Sequence, residues 1–212
     1  MGRTLDPVCK MCRREGIKLH LKGARCESNK CAIERRQAAP GMHGARRGKS
    51  SQYGDRLREK QKLKRFYGVF ERQFRRYFSI ASRSTENTGD VLLSIMERRL
   101  DNVVYRLGFA PNRATARQMV SHGHVTLNGK PCSIPSLLLK VGDVVAIKNR
   151  PRSLKAFQHN APENPQPVPD YLDRQEGEPP TGRLNRLPTR SDVDSRIADK
   201  IREQLIIEFC SR

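Results

Sequence analysis

Four cysteines near the start carry the clearest chemical potential, in CKMCRREGIKLHLKGARCESNKC, residues 9–31. Two residues separate Cys9 from Cys12, thirteen separate Cys12 from Cys26, and four separate Cys26 from Cys31. Thiolates are favoured ligands of structural zinc, and two closely spaced pairs joined by a loop let four sulfurs converge on one tetrahedral ion. Four protein ligands leave no position open for water or substrate. The expectation is therefore one structural zinc held by Cys9, Cys12, Cys26 and Cys31. His20, inside the loop, is a possible substitute ligand; two disulfides or four unligated thiols are the alternatives. Cys132 and Cys210 stand alone and read as small buried residues.

The compartment bears on that choice. No apolar run approaches the length of a membrane span, and the N-terminus lacks the apolar stretch of a signal peptide. The chain is read as soluble and cytoplasmic, where clustered cysteines favour metal over disulfides. A segment so poor in apolar residues gains little by collapse, whereas metal binding can contribute about 10 kcal/mol to a small domain.

Lys and Arg number 42 against 22 Asp and Glu, a formal net charge of +20, and hydrophobic residues make up 36% with no Trp. Such a surface calls for a polyanionic partner, with nucleic acid first and an acidic membrane its rival. The excess lies in the first three quarters of the chain; beyond residue 160 acids slightly outnumber bases. Candidate phosphate contacts begin with Arg3, Arg13, Arg14, Lys22, Arg35 and Arg36. An extended arm, AAPGMHGARRGKSSQYGD, adds His43, Arg46, Arg47 and Lys49. Its GKS is not a phosphate-binding loop, because His43 stands where the leading glycine would be and no apolar strand precedes it.

The elements that must position these groups follow. DRLREKQKLKRFYGVFERQFRRYF reads as a helical stretch with a dense charge run, offering Arg58, Lys60, Lys62, Lys64, Arg65 and Arg72 to an anion. Phe66, Tyr67, Phe70, Phe74 and Phe78 supply its core. A second helix starts near Asp90 and runs to Gly108, burying Leu92, Ile95, Met96, Leu100, Val103, Val104 and Leu107. Asn112 caps a short helix over Arg113–Ser121 that Gly123 ends, with Ala116, Met119 and Val120 inward and Arg113 and Arg117 outward. HVTL and CSI flank the hairpin signal NGKP, and VGDVVAIKN supplies a further strand. Arg113, Arg117, His122, His124, Asn128 and Lys130 are the contacts expected of this unit. No metalloprotease, serine-hydrolase or dinucleotide-binding motif is present, so the chain reads as non-enzymatic, with no small-molecule substrate and no membrane partner.

The string RLDNVVYRLGFAPNRATARQMVSHGHVTLNG resembles an RNA-binding module found in several RNA-handling proteins. PVCKMCRREG, RLREKQKLKRFYGVFERQFRRYF and EQLIIEFCSR extend the resemblance over nearly the whole chain, to the bacterial-type family of small-subunit ribosomal protein four, in its zinc-bearing subtype. The resemblance implies an α+β fold: a zinc-knuckle N-terminal segment, a helical domain, and an inserted RNA-binding domain of two helices on an antiparallel sheet. The boundaries expected are 1–45 for the zinc-binding segment, 46–98 with 188–212 for the helical domain, and 99–187 for the module, with a Pro-rich irregular stretch at 158–181. It further implies binding to the 5′ domain of small-subunit ribosomal RNA, nucleation of subunit assembly, and a place beside another small-subunit protein where mRNA enters, with an influence on decoding accuracy. Cys210 departs from the family's usual aromatic residue. A zinc-stabilised DNA- or mRNA-binding regulator is the rival function, against which the module speaks.

Overall fold

A computed structural model of the chain describes residues 2, 6–44, 51–161 and 167–211. The expectations for Arg3, Arg46, Arg47 and Lys49 lie outside the described residues. Two compact units emerge, residues 1–92 with 194–212, and residues 93–193. The cysteine-bearing segment belongs to the first, helical unit instead of standing by itself.

In that unit α1 (Val8–Glu15) ends at Gly16, whose φ of 70° only glycine adopts cheaply. A tight 3-10 turn (Gly23–Cys26) and the one-turn helix α2 (Ala32–Arg35) follow. Ser51 caps α3 (Gln52–Tyr67), its Oγ accepting from the Gly54 N–H at 3.1 Å. The helical stretch expected as one piece breaks at Gly68, left-handed at φ 64°, and resumes as α4 (Glu71–Ala81). Leu63, Phe66 and Tyr67 of α3 and Phe74, Tyr77 and Ala81 of α4 are buried, the apolar face that a period of 3.6 requires. Helix α5 (Thr88–Glu97) carries the chain past the division between the units.

The second unit opens with α6 (Leu100–Arg106), so the long helix expected from Asp90 to Leu107 is two helices. The reason is tertiary. The Arg98 carbonyl accepts from the Leu139 N–H at 3.0 Å, and Leu100 and Asp101 donate to the carbonyls of Leu137 and Pro135 at 2.9 and 3.1 Å. Bonds to a remote segment replace helical ones there, and Arg99 is extended at ψ 137°. Helix α7 (Arg113–Ser121) starts as expected, with Asn112 Oδ1 accepting from the Thr115 N–H at 2.8 Å. Asn128 (φ 48°) and Gly129 (φ 77°) form the two-residue turn between β1 (Val125–Leu127) and β2 (Lys130–Pro131). The strand expected through Cys132–Ile134 is absent; β2 is two residues long.

Strand β3 (Val144–Ile147), helix α8 (Pro151–Asn160), β4 (Leu172–Gln175) and β5 (Thr181–Leu184) complete the unit. The strands pair antiparallel in the order β2-β1-β3-β5-β4. Of the stretch expected to be irregular, residues 158–161 and 167–181, where described, include the end of α8 and all of β4. Val103, Val104 and Leu107 pack with Ala116, Met119 and Val120 over Val125, Val145 and Ile147. Leu154 and Phe157 of α8 join them, Phe157 meeting Phe109 edge-on at 5.8 Å. The sheet thus carries three helices, not two.

The chain then re-enters the first unit as α9 (Ser195–Ala198) and α10 (Glu203–Cys210). Helix α10 packs on α3: Ile206 is buried, the Tyr53 and Phe209 rings lie 5.4 Å apart, and Arg56 Nε donates to Glu208 at 2.8 Å. Among the described residues no helix is long and apolar enough to cross a membrane.

Candidate nucleic-acid interface

The charge run of α3 is drawn into pairs within the chain. Lys60 and Lys64 donate to the two carboxylate oxygens of Glu71 at 2.8 and 2.6 Å, with Arg75 adding a bond at 3.2 Å. Lys62 donates to Glu59 at 2.6 Å and to the Lys200 carbonyl at 2.9 Å. Arg65 and, at 3.4 Å, Arg58 pair with Glu15, whose side chain is fully buried. Lys60 and Lys62 are buried themselves, and a buried ammonium demands a partner of this kind. Burial alone would raise the Glu71 carboxyl; its bonds from Lys60 and Lys64 outweigh that and hold it at about 2. These five expected contacts therefore project far less charge than a free stripe would.

Nearer the N-terminus, Arg13 donates to the Ala38 and Ala39 carbonyls at 2.9 and 3.4 Å, and Arg14 to the Pro40 carbonyl at 3.2 Å. Both tie α1 to the segment that follows α2. Lys22, Arg35, Arg36, His43 and Arg72 remain exposed. Arg76, not singled out from the sequence, extends the Arg72 stripe of α4 by one helical turn and is exposed too, as is Arg83 just past the helix end. The doublet in FRRYF was the available signal.

In the second unit Arg113 does not face outward as expected. It is buried, its Nε donating to Asn102 Oδ1 at 2.8 Å and its guanidinium lying 4.5 Å from the Tyr105 ring centre. Arg117 reaches Asp101 at 3.5 Å, and Arg99 grips the same carboxylate with bonds of 3.0 and 2.6 Å. Glu97, also buried, accepts from Asn102 Nδ2 at 2.7 Å and from the Tyr171 hydroxyl at 3.0 Å. Burial, reinforced by Glu97, raises the Tyr171 phenol well above its ordinary value. This lattice orients α6 and α7 from within.

Asn128 locks the hairpin, donating to Asp143 at 2.8 Å and accepting from the Val144 N–H at 2.9 Å. His124 is buried with Nδ1 3.0 Å from Ser153 Oγ, while His122 and Lys130 are exposed. The sequence reading also passed over Lys148, Arg150, Arg152 and Lys155; a run of bases free of acids was the signal.

Of the four clustered cysteines, Cys12, Cys26 and Cys31 are buried and Cys9 half-buried. The Leu19 N–H bonds to Cys12, and the Lys22 N–H to Cys26 Sγ at 3.4 Å. Burial pushes both thiols up; these N–H bonds oppose it, and the neighbouring cysteine sulfurs add to it. Among the described residues no group of three or more His, Cys, Asp or Glu side chains is gathered so as to hold a metal ion. The chemistry of the donor set nevertheless fits zinc: four thiols, three of them buried, two already receiving backbone N–H groups.

The profile described as "Ribosomal protein S4/S9 N-terminal domain" matches residues 3–97, and that described as "S4 domain" matches residues 98–145. The chain is 50% identical to "Small ribosomal subunit protein uS4A" of Symbiobacterium thermophilum over 212 residues, covering 100% of both chains. It is 49% identical to "Small ribosomal subunit protein uS4" of Halothermothrix orenii and 50% identical to the uS4A protein of Alkaliphilus metalliredigens, again covering 100% of each. Half-identity sustained from one end to the other, over both units, leaves one conclusion: the chain belongs to the family of small ribosomal subunit protein uS4.

Proposed function

We propose that the chain is a structural, non-enzymatic constituent of the small ribosomal subunit in the cytoplasm, and that it binds small-subunit ribosomal RNA. The observation that carries this reading is the full-length identity of about half to proteins named for that subunit. Its net charge of +20 and its exposed cations on α4 and the hairpin suit a phosphate backbone. RNA helices hide base edges in a deep major groove, so dispersed Arg and Lys on rigid elements suit shape and backbone recognition.

Within that role the chain takes the 5′ domain of the ribosomal RNA, binds early, and nucleates assembly. It contacts a neighbouring small-subunit protein and lies where mRNA enters, influencing decoding accuracy. One structural zinc ion, held by Cys9, Cys12, Cys26 and Cys31, orders the N-terminal segment. Thiolate ligation is the only chemistry asked of those four residues.

The test is binding of the purified chain to a transcript of the 5′ domain against excess tRNA and duplex DNA over a salt series. Binding that survives competition at physiological salt is the expected outcome. Equal affinity for all three would reduce the charge to a generic polyanion effect and restore the regulatory DNA-binder.

A further inference from the structure

Strand β3 runs into KNRPRSLK, residues 148–155, beyond the stretch 98–145 that the S4 domain profile covers. Between residues 144 and 161 no Asp or Glu occurs. The segment is held firmly. The Lys148 N–H donates to the His124 carbonyl at 2.8 Å, and the Arg150 carbonyl accepts from the N–H groups of Ser153 and Leu154 at 2.9 and 3.0 Å, which starts α8. His124 Nδ1 stands 3.0 Å from Ser153 Oγ, and Phe157 meets Phe109 on the inner face.

With that face inward, α8 turns Arg152, Lys155 and His159 to solvent at positions i, i+3 and i+7. Arg150 is exposed beside them and Lys148 half-buried. His122 lies at the rim, its ring 6.2 Å from that of His124. Burial pushes the His124 imidazole down, and the charges of Arg152, His122 and Lys148 act in the same direction. On α3 a comparable density of cations is neutralised by Glu15, Glu59 and Glu71. Among the described residues Arg150, Arg152 and Lys155 have no such carboxylate, so their mutual repulsion is relieved only by an anion from outside.

We propose that Lys148, Arg150, Arg152 and Lys155 form a phosphodiester-binding surface at the β3–α8 junction, which grips an RNA backbone strand by charge and without base selection. The surface rests on the RNA-binding reading above and names a partner contact for it. Because α8 is packed on the sheet, Arg150, Arg152 and Lys155 project from a fixed backbone, so binding has only their side chains to order.

The test uses the full chain carrying R150Q, R152Q and K155Q together, with R150K/R152K as the charge-preserving variant. Binding to the 5′-domain transcript and to tRNA is measured across a potassium chloride series. Each neutralised phosphate contributes about 0.9 to the slope of log affinity against log salt on duplex nucleic acid. Loss of two to three contacts lowers the slope by about 2–3, with the lysine variant close to the parent chain. Unfolding by urea keeps its midpoint, since the three side chains are exposed. An unchanged slope on both RNAs overturns the proposal. A parent chain that does not prefer the 5′-domain transcript to tRNA counts against the ribosomal reading, while the slope difference on either RNA still decides for or against this surface.

Discussion

Gly182 of β5 lies against Leu107, which caps the C-terminus of α6, so closely that a Cβ added to the glycine would stand 2.5 Å from each leucine methyl. Both residues are buried, so neither the strand nor the leucine has room to yield freely. Gly182→Ala is expected to lower stability by about 1–3 kcal/mol, the usual cost of overpacking. Gly177→Ala is the control: its Cβ meets nothing nearer than 3.7 Å, and the expected change is within about 0.5 kcal/mol. Equal urea midpoints for the two variants would show that the close approach carries no weight.

The α3 ion pairs lead to a separation of stability from RNA affinity. Lys60→Gln strands the Glu71 carboxylate of one of its donors in a half-buried setting and is expected to cost about 1–3 kcal/mol. The salt slope of RNA binding should stay as it was. Arg72→Gln, on the exposed face of α4, should do the reverse, lowering the slope by about 0.9 with stability within about 0.5 kcal/mol. If Lys60→Gln lowers the slope and leaves the urea midpoint alone, its ammonium serves phosphate and not Glu71.

Acid should weaken the second unit through Asp192. Burial by itself would raise this carboxyl, but bonds from Arg186 at 2.5 and 2.7 Å and from the Thr189 N–H at 2.7 Å hold it at about 2, against an ordinary 3.8. A depressed folded-state pKa contributes stability that is complete above about 3.8 and is lost as pH falls through about 2. Asp192→Asn should therefore lose on the order of 1–2 kcal/mol at pH 7 and flatten the decline between pH 4 and pH 2. Urea titrations of both proteins across that range provide the check, and parallel curves would contradict the assignment.

Zinc removal tests the four cysteines. Metal analysis of the purified chain should return one zinc per molecule, and EDTA should release it and speed amide exchange across residues 8–35. Cys12→Ser should bind less zinc and show the same loss of protection. A metal-free chain with unchanged exchange would sink the structural-zinc proposal.

Several features were legible because they are local. The Asn112 cap, the helix it starts, and the Asn128-Gly129 turn each follow from residues within a few positions of one another. The left-handed glycine that parts α3 from α4 was visible in the sequence too, but its competition with the surrounding helical pattern was not resolved there. The family resemblance likewise rested on contiguous strings, which is why the kind of partner could be anticipated before any geometry was known.

Sequence alone thus determined the polyanionic partner, the clustered thiols and the short elements, all of which depend on composition or on neighbouring residues. Tertiary structure decided the rest. Glu15 lies fifty residues from Arg65 in sequence, so no local pattern could show that the most basic helix is internally neutralised. Pairing of 98–101 with 135–139 split one helix into two, and pairing of β4 with β5 organised the described part of a stretch that Pro and Gly made look irregular. The first two decisions rest on bonds between residues distant along the chain, whose free energy exists only once the fold has brought them together; β4 and β5 form a local hairpin, but β5 is also held by its pairing with the remote β3.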